Sequence, residues 1–440
     1  MTFTSALKLP IHDNRMSSSR ILLVSHRFVP HYTAGTELYT AALAQGWLER
    51  GHSVTIFTGD PHATAPRREV WGGVQIHVQP WGLLGSGSAV DTFLAGFFNP
   101  RVEQAFEALC AEFKPDVIHV LQLLGLSPRL LHLGKRSGAK IILTLMDFWF
   151  VCSNTWLFRW NQQVCSGPEW GYHCAGCALQ RLGVKPQPLL MAMAAPLFWL
   201  RTQWLKRVLQ EPHQIVAPSR LCQTLIKQLS QTLQTIILLP LALSAPALQP
   251  STSPSGNSSV RFVYLGSLIP PKGVHVVIEA FNRLGPTTAQ LHIYGDSRAN
   301  PTYFEQLRRI AHHPQIEFHD VLPHAEVGQV LAAADLLLMP SLWYETYALV
   351  VDDAWRAGVP VLVSNHTAVA ERVEVGKNGW LAPPGDVEAW AQRMRELVAS
   401  LPSRSRRQTP YLSPTVFSDH LNSLAKIYFS PNPSSKVLME

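Results

Sequence analysis

The sequence predicts an α/β protein made of two doubly wound parallel-sheet halves that face each other across a cleft. Three observations predict it. Short apolar runs alternate with segments of helical spacing along most of the chain, a pattern that needs a parallel sheet covered on both faces. The pattern stops in a Ser- and Pro-rich stretch after Leu243, SAPALQPSTSPSGNSS, and then restarts. The chain has 440 residues, 47% hydrophobic and only 15% charged, against about 25% charged in an average soluble protein. That is enough apolar material for two or three cores, and it excludes a small binding module or a chain disordered throughout.

The elements follow in order. Residues 1–18 lack the continuous apolar core and cleavage site of a secretory signal and read as a disordered leader, which points to the cytoplasm. Ile21–Ser25, Glu37–Arg50 and Val54–Thr58 form a strand, helix, strand unit. Val117–Val120 and Lys140–Leu145 are buried strands around a helical Ser127–Leu133, and Gln214–Ala217 precedes a helical Ser219–Leu229. These elements make a first domain over 19–245 with a Cys-rich insertion at 148–180, followed by a linker at 246–259. In the second domain, 260–415, the strands are Arg261–Leu265, Gln290–Tyr294, Asp335–Met339 and Pro360–Val363. Its helices are Lys272–Leu284, Tyr303–Ala311, Ala325–Ala333 and Leu349–Ala357. Residues 416–440 contain an amphipathic Phe417–Phe429, expected to pack back on the first domain. No run approaches the roughly 18 to 20 apolar residues of a membrane-spanning helix. The net charge of +7 favours anionic partners only weakly.

Ligands of open parallel sheets bind beyond the carboxyl ends of the strands, so the chemistry is sought in the loops that follow them. PHYTAGT, Pro30–Thr36, places Gly35 before a helix, where backbone N–H groups can approach an anion; it is not the GxGxxG dinucleotide fingerprint, and a glycine turn is often merely structural. GSLIPPKG, Gly266–Gly273, puts the ammonium of Lys272 at the mouth of the second sheet as a candidate diphosphate clamp or as an ordinary solvated lysine. In SLWYETYALVVDDAWRAGVPVLV, Glu345 lies in a loop and Asp353 two helical turns further on. Two carboxylates can accept hydrogen bonds from sugar hydroxyls, and the helix start at Tyr347, Ala348 and Leu349 can offer amides to a phosphate. A nucleotide-sugar fits that combination, and an exposed acidic pair is the alternative.

Together, AGTELYTAALAQGWLERGHSVTIFT, YLGSLIPPKGVHVVIEAF, LHIYGD, WYETYALVVDDAWRAGVPVLVS and GKNGWLAPPGD resemble the retaining glycosyltransferases of family 4, which have the GT-B fold of two Rossmann-like domains. The resemblance spans nearly the whole chain after the leader. It implies that Gly35, Thr36, Gly266 and Ser267 lie against the donor diphosphate and that Lys272 neutralises the leaving phosphate. It implies that Glu345 holds the donor sugar, with Tyr347, Ala348 and Leu349 beside it, and that Asp353 grips the nucleotide ribose. His119 is the catalytic candidate of the first domain, with a satisfied core histidine as its alternative. The implied partners are a nucleotide-sugar donor and a glycan or lipid-linked acceptor, not nucleic acid, and no metal is implied for catalysis. The sequence departs from the family pattern at Asp353, which stands where a second Glu is usual, at Ser267 in place of a basic residue, at Leu121 and Gln122, and at Met146 before Asp147. A nucleotide-sugar epimerase of the same architecture and a non-catalytic nucleotide-sugar binder are the rival readings.

Cys152, Cys165, Cys174 and Cys177 give C-x12-C-x8-C-x2-C, whose last pair has zinc-knuckle spacing. A structural zinc, an iron–sulfur cluster or redox disulfides, and independent thiols are the three readings. Pro186–Val208 is apolar and then basic around Trp199 and Trp204, which suits the surface of an anionic bilayer, and a buried helix with a solvated end is the simpler account.

Overall fold

The structure is a computed structural model that describes residues 18–243, 259–401 and 416–430. Except for Ser18 and Ser259, the expected leader and the linker at 246–259 lie outside the described residues.

The first lobe runs β1 (Arg20–Ser25), α1 (Gly35–Glu49), β2 (Ser53–Asp60), β3 (Arg67–Trp71), β4 (Val74–Pro80), α2 (Ala89–Ala95), α3 (Pro100–Phe113), β5 (Val117–Val120), α4 (Leu130–Arg136) and β6 (Lys140–Thr144). It continues through α5 (Tyr172–Arg181), α6 (Pro188–Val208), β7 (Gln214–Ala217), α7 (Arg220–Ser230) and β8 (Ile236–Leu238). The eight strands lie in the order β3-β4-β2-β1-β5-β6-β7-β8. All neighbours are parallel except β3 and β4, which form a hairpin over Gly72 and Gly73. Alternation along β1 explains why its strand is apolar on both sides: Leu22 and Val24 enter one core, Ile21 and Leu23 the other.

The second lobe runs β9 (Arg261–Leu265), α8 (Val274–Asn282), β10 (Gln290–Tyr294), α9 (Pro301–Ile310), β11 (Ile316–His319), α10 (His324–Ala332), β12 (Leu336–Met339), α11 (Leu349–Arg356), β13 (Val361–Ser364), β14 (Gly379–Ala382) and α12 (Val387–Ser400). Its six parallel strands are ordered β11-β10-β9-β12-β13-β14, with one core on each face. The helix expected from Lys272 is divided. Pro270–Lys272 form a single 3-10 turn, and Gly273 at φ 70° separates it from α8. A Cβ at Gly273 would lie 2.0 Å from the Pro340 carbonyl oxygen, so only glycine fits between the Lys272 turn and the strand end it crosses.

The last helix, α13 (Phe417–Phe429), lies on α1 of the first lobe, where Gly46 lets it approach; a Cβ there would meet Leu421 Cδ1 at 2.5 Å. Leu421, Leu424 and Tyr428 join the core around Trp47, and Lys140 Nζ donates to the Ile427 and Ser430 carbonyls at 2.7 and 2.8 Å, capping the helix end. The lobes touch at the carboxyl ends of their sheets. Thr346 Oγ1 donates to the Met146 carbonyl at 2.9 Å, Tyr347 OH to the Leu241 carbonyl at 2.8 Å, and the Arg220 and Leu221 amides at the start of α7 to the Glu371 carboxylate at 3.0 and 2.5 Å. The last contact sets an acidic side chain of one lobe against the positive helix end of the other.

Candidate functional site

Two helix N-termini meet where the lobes face each other. α1 begins at Gly35, two residues earlier than its sequence periodicity suggests, and the Cβ position of Gly35 lies 3.5 Å from Leu349 Cδ1 at the start of α11. Gly35 is exposed and Thr36 half-buried. Ala348, the N-cap of α11, is held at φ 66° and ψ 82°, a left-handed conformation that costs a residue with a Cβ about 1–2 kcal/mol.

On the second lobe, Lys272 Nζ lies 2.7 Å from Glu345 Oε2 and 5.4 Å from the Trp343 ring centroid. Ser341 Oγ donates to the same carboxylate oxygen at 3.1 Å, and the Glu345 carbonyl accepts from the Ala368 amide at 3.0 Å. Glu345 is buried while Lys272 is partly open, so the pair presents its cation outward. Gly266 and Ser267 are both exposed in the loop after β9; the Gly266 amide donates to the Tyr294 carbonyl at 3.1 Å, and the Ser267 carbonyl accepts from Tyr264 OH at 2.9 Å. The structure therefore brings Gly35 to Leu349 and Lys272 to Glu345, with Ala348 between the two pairs in the chain.

Three expectations need correction or refinement. His119 has no free face: it is fully buried, with Nδ1 2.6 Å from Tyr428 OH and Nε2 2.7 Å from Thr144 Oγ1. Burial lowers its pKa to about 3, so it is a neutral tie between β5, β6 and α13 rather than a proton carrier. The Tyr347 side chain is occupied by the Leu241 carbonyl, and Arg372 covers its ring at 4.2 Å, which makes it a contact between the lobes. Asp353 is buried beside Arg356, with His324 Nε2 at 3.9 Å, so any ribose contact shares its carboxylate with the Arg356 guanidinium and the His324 ring.

Asp147, noted in the sequence only as the residue after Met146, is the functional candidate that residue patterns did not select. It follows β6 at the lobe junction, accepts from the Trp149 amide at 2.9 Å and from Gln122 Nε2, and is raised by burial to about 7. The buried Arg201 opposes that rise. The signal was available: an aspartate at a parallel strand's carboxyl end, beside a glutamine at the end of the neighbouring strand.

All four clustered cysteines are buried, Cys152 and Cys165 in the loop and Cys174 and Cys177 on α5. Cys165 Sγ donates to the Gly167 carbonyl at 3.2 Å and Cys174 Sγ to the Pro168 carbonyl at 3.8 Å, so the loop backbone passes close to both sulfurs. No three of the sulfurs come within 4.8 Å of one another, so they are neighbours without being a closed tetrahedral set. Thr155, Leu157, Gln162, Glu169 and Trp170 give this segment five of the eight left-handed non-glycine residues among those described.

The buried-helix account of α6 fails on its outer face. Leu189, Met193, Leu197 and Leu200 form an exposed stripe, with exposures of 71, 71, 46 and 53%; Trp170, stacked on Trp199, is exposed as well, as are Leu182 and Val184 in the loop before α6. Only Met191, Phe198, Arg201, Thr202, Leu205 and Val208 turn inward. No described helix is long and apolar enough to cross a membrane.

Comparison with known proteins agrees with this architecture. The family pattern described as Glycosyl transferases group 1 matches residues 259–400, and that described as Glycosyl transferase 4-like domain matches 34–226. The putative colanic acid biosynthesis glycosyltransferase WcaL of Salmonella typhimurium is 31% identical over 148 residues, 31% of this chain and 36% of that protein. The chain spans less than half the length of the curated relatives it matches. Among solved structures, sucrose-phosphate synthase from Thermosynechococcus elongatus superposes with a TM-score of 0.69 at 17% identity, covering 93% of this chain and 98% of that one. Anabaena HepE in complex with UDP-glucose superposes with a TM-score of 0.60 at 16% identity, covering 93% of this chain and 100% of that one. The two matched domains, in this order and on this pair of facing parallel sheets, make the chain a member of the group 1 glycosyltransferases with the GT-B fold.

Proposed function

We propose that the chain is a retaining glycosyltransferase of polysaccharide or glycolipid synthesis, moving a sugar from a nucleoside diphosphate to an acceptor hydroxyl. The observation that carries this reading is the Lys272–Glu345 pair at 2.7 Å, on the same wall as the α11 N-terminus that meets Gly35. Amides at the starts of α1 and α11 suit the diphosphate, and the Lys272 ammonium suits the charge that grows on it as the glycosidic bond breaks. Glu345 would hold sugar hydroxyls, and Asp353 the ribose. The bond from the anomeric carbon to the leaving phosphate oxygen breaks while the acceptor oxygen bonds to the same face, and the acceptor proton passes to the departing phosphate. Charge is met by an ammonium and helix ends, so the reading needs no catalytic metal. A fold neighbour solved with UDP-glucose supports this class of donor.

A thermal-shift screen against nucleoside diphosphates and their sugars, followed by product analysis with labelled donor, tests the reading. Stabilisation by one donor class and transfer of label to an acceptor support it. An epimerised sugar without transfer favours the epimerase, and donor binding without turnover favours the non-catalytic binder.

Two further features belong to this reading. Peripheral contact with an anionic bilayer through α6 is supported by its exposed stripe and by charge: residues 170–210 contain no Asp or Glu, while Arg181, Lys185 and Arg207 are exposed. It would keep the enzyme at the cytoplasmic membrane surface, near a lipid-linked acceptor. Co-sedimentation with vesicles containing anionic lipid, lost when Leu189, Met193 and Leu197 become Ser, tests it; equal sedimentation of the variant removes it. A structural zinc held by Cys152, Cys165, Cys174 and Cys177 is supported by four buried thiols and by amides of Asn154, Leu157 and Trp160 directed at the sulfurs of Cys152 and Cys177. Binding would draw the sulfurs together.

A further inference from the structure

A second cluster of metal-ligating side chains lies away from the cleft and apart from the cysteines. His292 Nδ1, Glu317 Oε2 and His319 Nε2 lie within 4.8 Å of one another. Strand register gathers them: His292 of β10 stands opposite Glu317 of β11, and His319 is two residues further along β11, so alternation puts all three on one face of the sheet. The separations are 3.0 Å between the two ring nitrogens, 3.4 Å from His292 to Glu317 and 3.7 Å from His319 to Glu317. Tetrahedral ligands about 2.0–2.2 Å from a dication stand about 3.3–3.6 Å apart, so the three distances bracket the edge of such a site.

The surroundings hold the ligands in that attitude. The His292 ring is buried, and its Nε2 faces Gln290 Oε1 at 3.5 Å, an acceptor that places the ring proton on Nε2 and leaves the Nδ1 lone pair toward the cluster. In that tautomer the lone pair accepts from His319 Nε2 at 3.0 Å, and a bound cation would take the place of the shared proton, with Glu317 Oε2 3.4 Å away to balance its charge. The His319 ring stacks on Tyr294 at 4.3 Å, which fixes its direction. Glu317, about half exposed, supplies the negative charge and an open side, while Arg261 of β9 acts against a cation through its charge on His292.

We propose that His292, Glu317 and His319 form a site for a divalent transition cation of the zinc, nickel or copper class, which clips the edge strand β11 to β10. Two imidazoles and one carboxylate select that class over magnesium or calcium. The proposal is independent of the sugar-transfer reading.

Titration of the full chain with Co²⁺, followed by absorption and by thermal unfolding, tests it. The wild type should take up a saturating equivalent with weak visible bands and a raised Tm. His319→Ala and Glu317→Gln should each lower the affinity at least about tenfold, and Gln290→Ala about tenfold through the lost orienting contact. Glu317→Gln alters an exposed side chain and keeps the test valid if the histidine variant unfolds. Failure of the wild type to saturate, equal affinity in Glu317→Gln, or uptake accompanied only by the intense near-ultraviolet bands of thiolate ligation would overturn it.

Discussion

Lys272→Met removes an ammonium while keeping an aliphatic stem against Trp343, whose ring centroid lies 5.4 Å from the native Nζ. Two consequences can be separated. In the resting protein the buried Glu345 carboxylate loses its 2.7 Å partner and retains the Ser341 hydroxyl at 3.1 Å, which costs about 1–3 kcal/mol of stability. Lys272 is partly open to solvent, so the cost belongs at the lower end of that range. In the reaction, loss of one group that meets developing charge costs about 3–4 kcal/mol of barrier, or roughly 10²–10³ in kcat. The assay is initial-rate release of nucleoside diphosphate at saturating donor, beside a thermal unfolding curve. The double variant Lys272→Met/Glu345→Gln removes the stranded carboxylate charge, so its Tm should recover toward wild type while its kcat stays low. A kcat within threefold of wild type for Lys272→Met, or recovery of rate together with stability in the double variant, would show that the pair is structural.

His119→Phe should lower stability by about 2–5 kcal/mol, because Tyr428 OH and Thr144 Oγ1 each lose a buried partner, yet change kcat less than twofold; denaturant unfolding and rate assays check both halves. Ala348→Gly should raise Tm by a degree or two, the relief of left-handed strain exceeding the added freedom of the unfolded chain, as calorimetry would show. Asp147 binds its proton more tightly in the fold than in the unfolded chain. Between about pH 4 and 7 the native state therefore carries the extra proton, and stability falls as pH rises through that window. Asp147→Asn should remove this slope, so its Tm advantage over wild type grows from pH 4 to 7 and then levels off. Metal analysis after reducing purification should find zinc that is lost when Cys174 and Cys177 are replaced by Ser; a stoichiometric absence of zinc in the wild type would end that proposal.

What the sequence made legible depended on how local each cause is. Central strands such as Phe262–Leu265 are apolar on both faces, so their runs stand out without any knowledge of their neighbours. The β3–β4 hairpin does not stand out, because RREVW at an edge keeps alternate residues exposed and carries three charges in five positions. The short strands β8, β11 and β14 are recognisable only through the partners that complete them. Lys272 and Glu345 could each be placed at the cleft because each follows the carboxyl end of a recognisable strand, while the 2.7 Å pairing between them is visible only in the structure. His119 could not be resolved in the same way: its neutral, enclosed state is set by Tyr428, which lies 309 residues away in α13. Asp147 owes its raised pKa to burial among Gln122, Trp149 and Arg201, which come from separate segments of the first lobe, and His292 meets His319 only when β10 and β11 align in register. Residue type and spacing therefore identify the groups able to do chemistry, while the long-range contacts decide which of them remain free to do it.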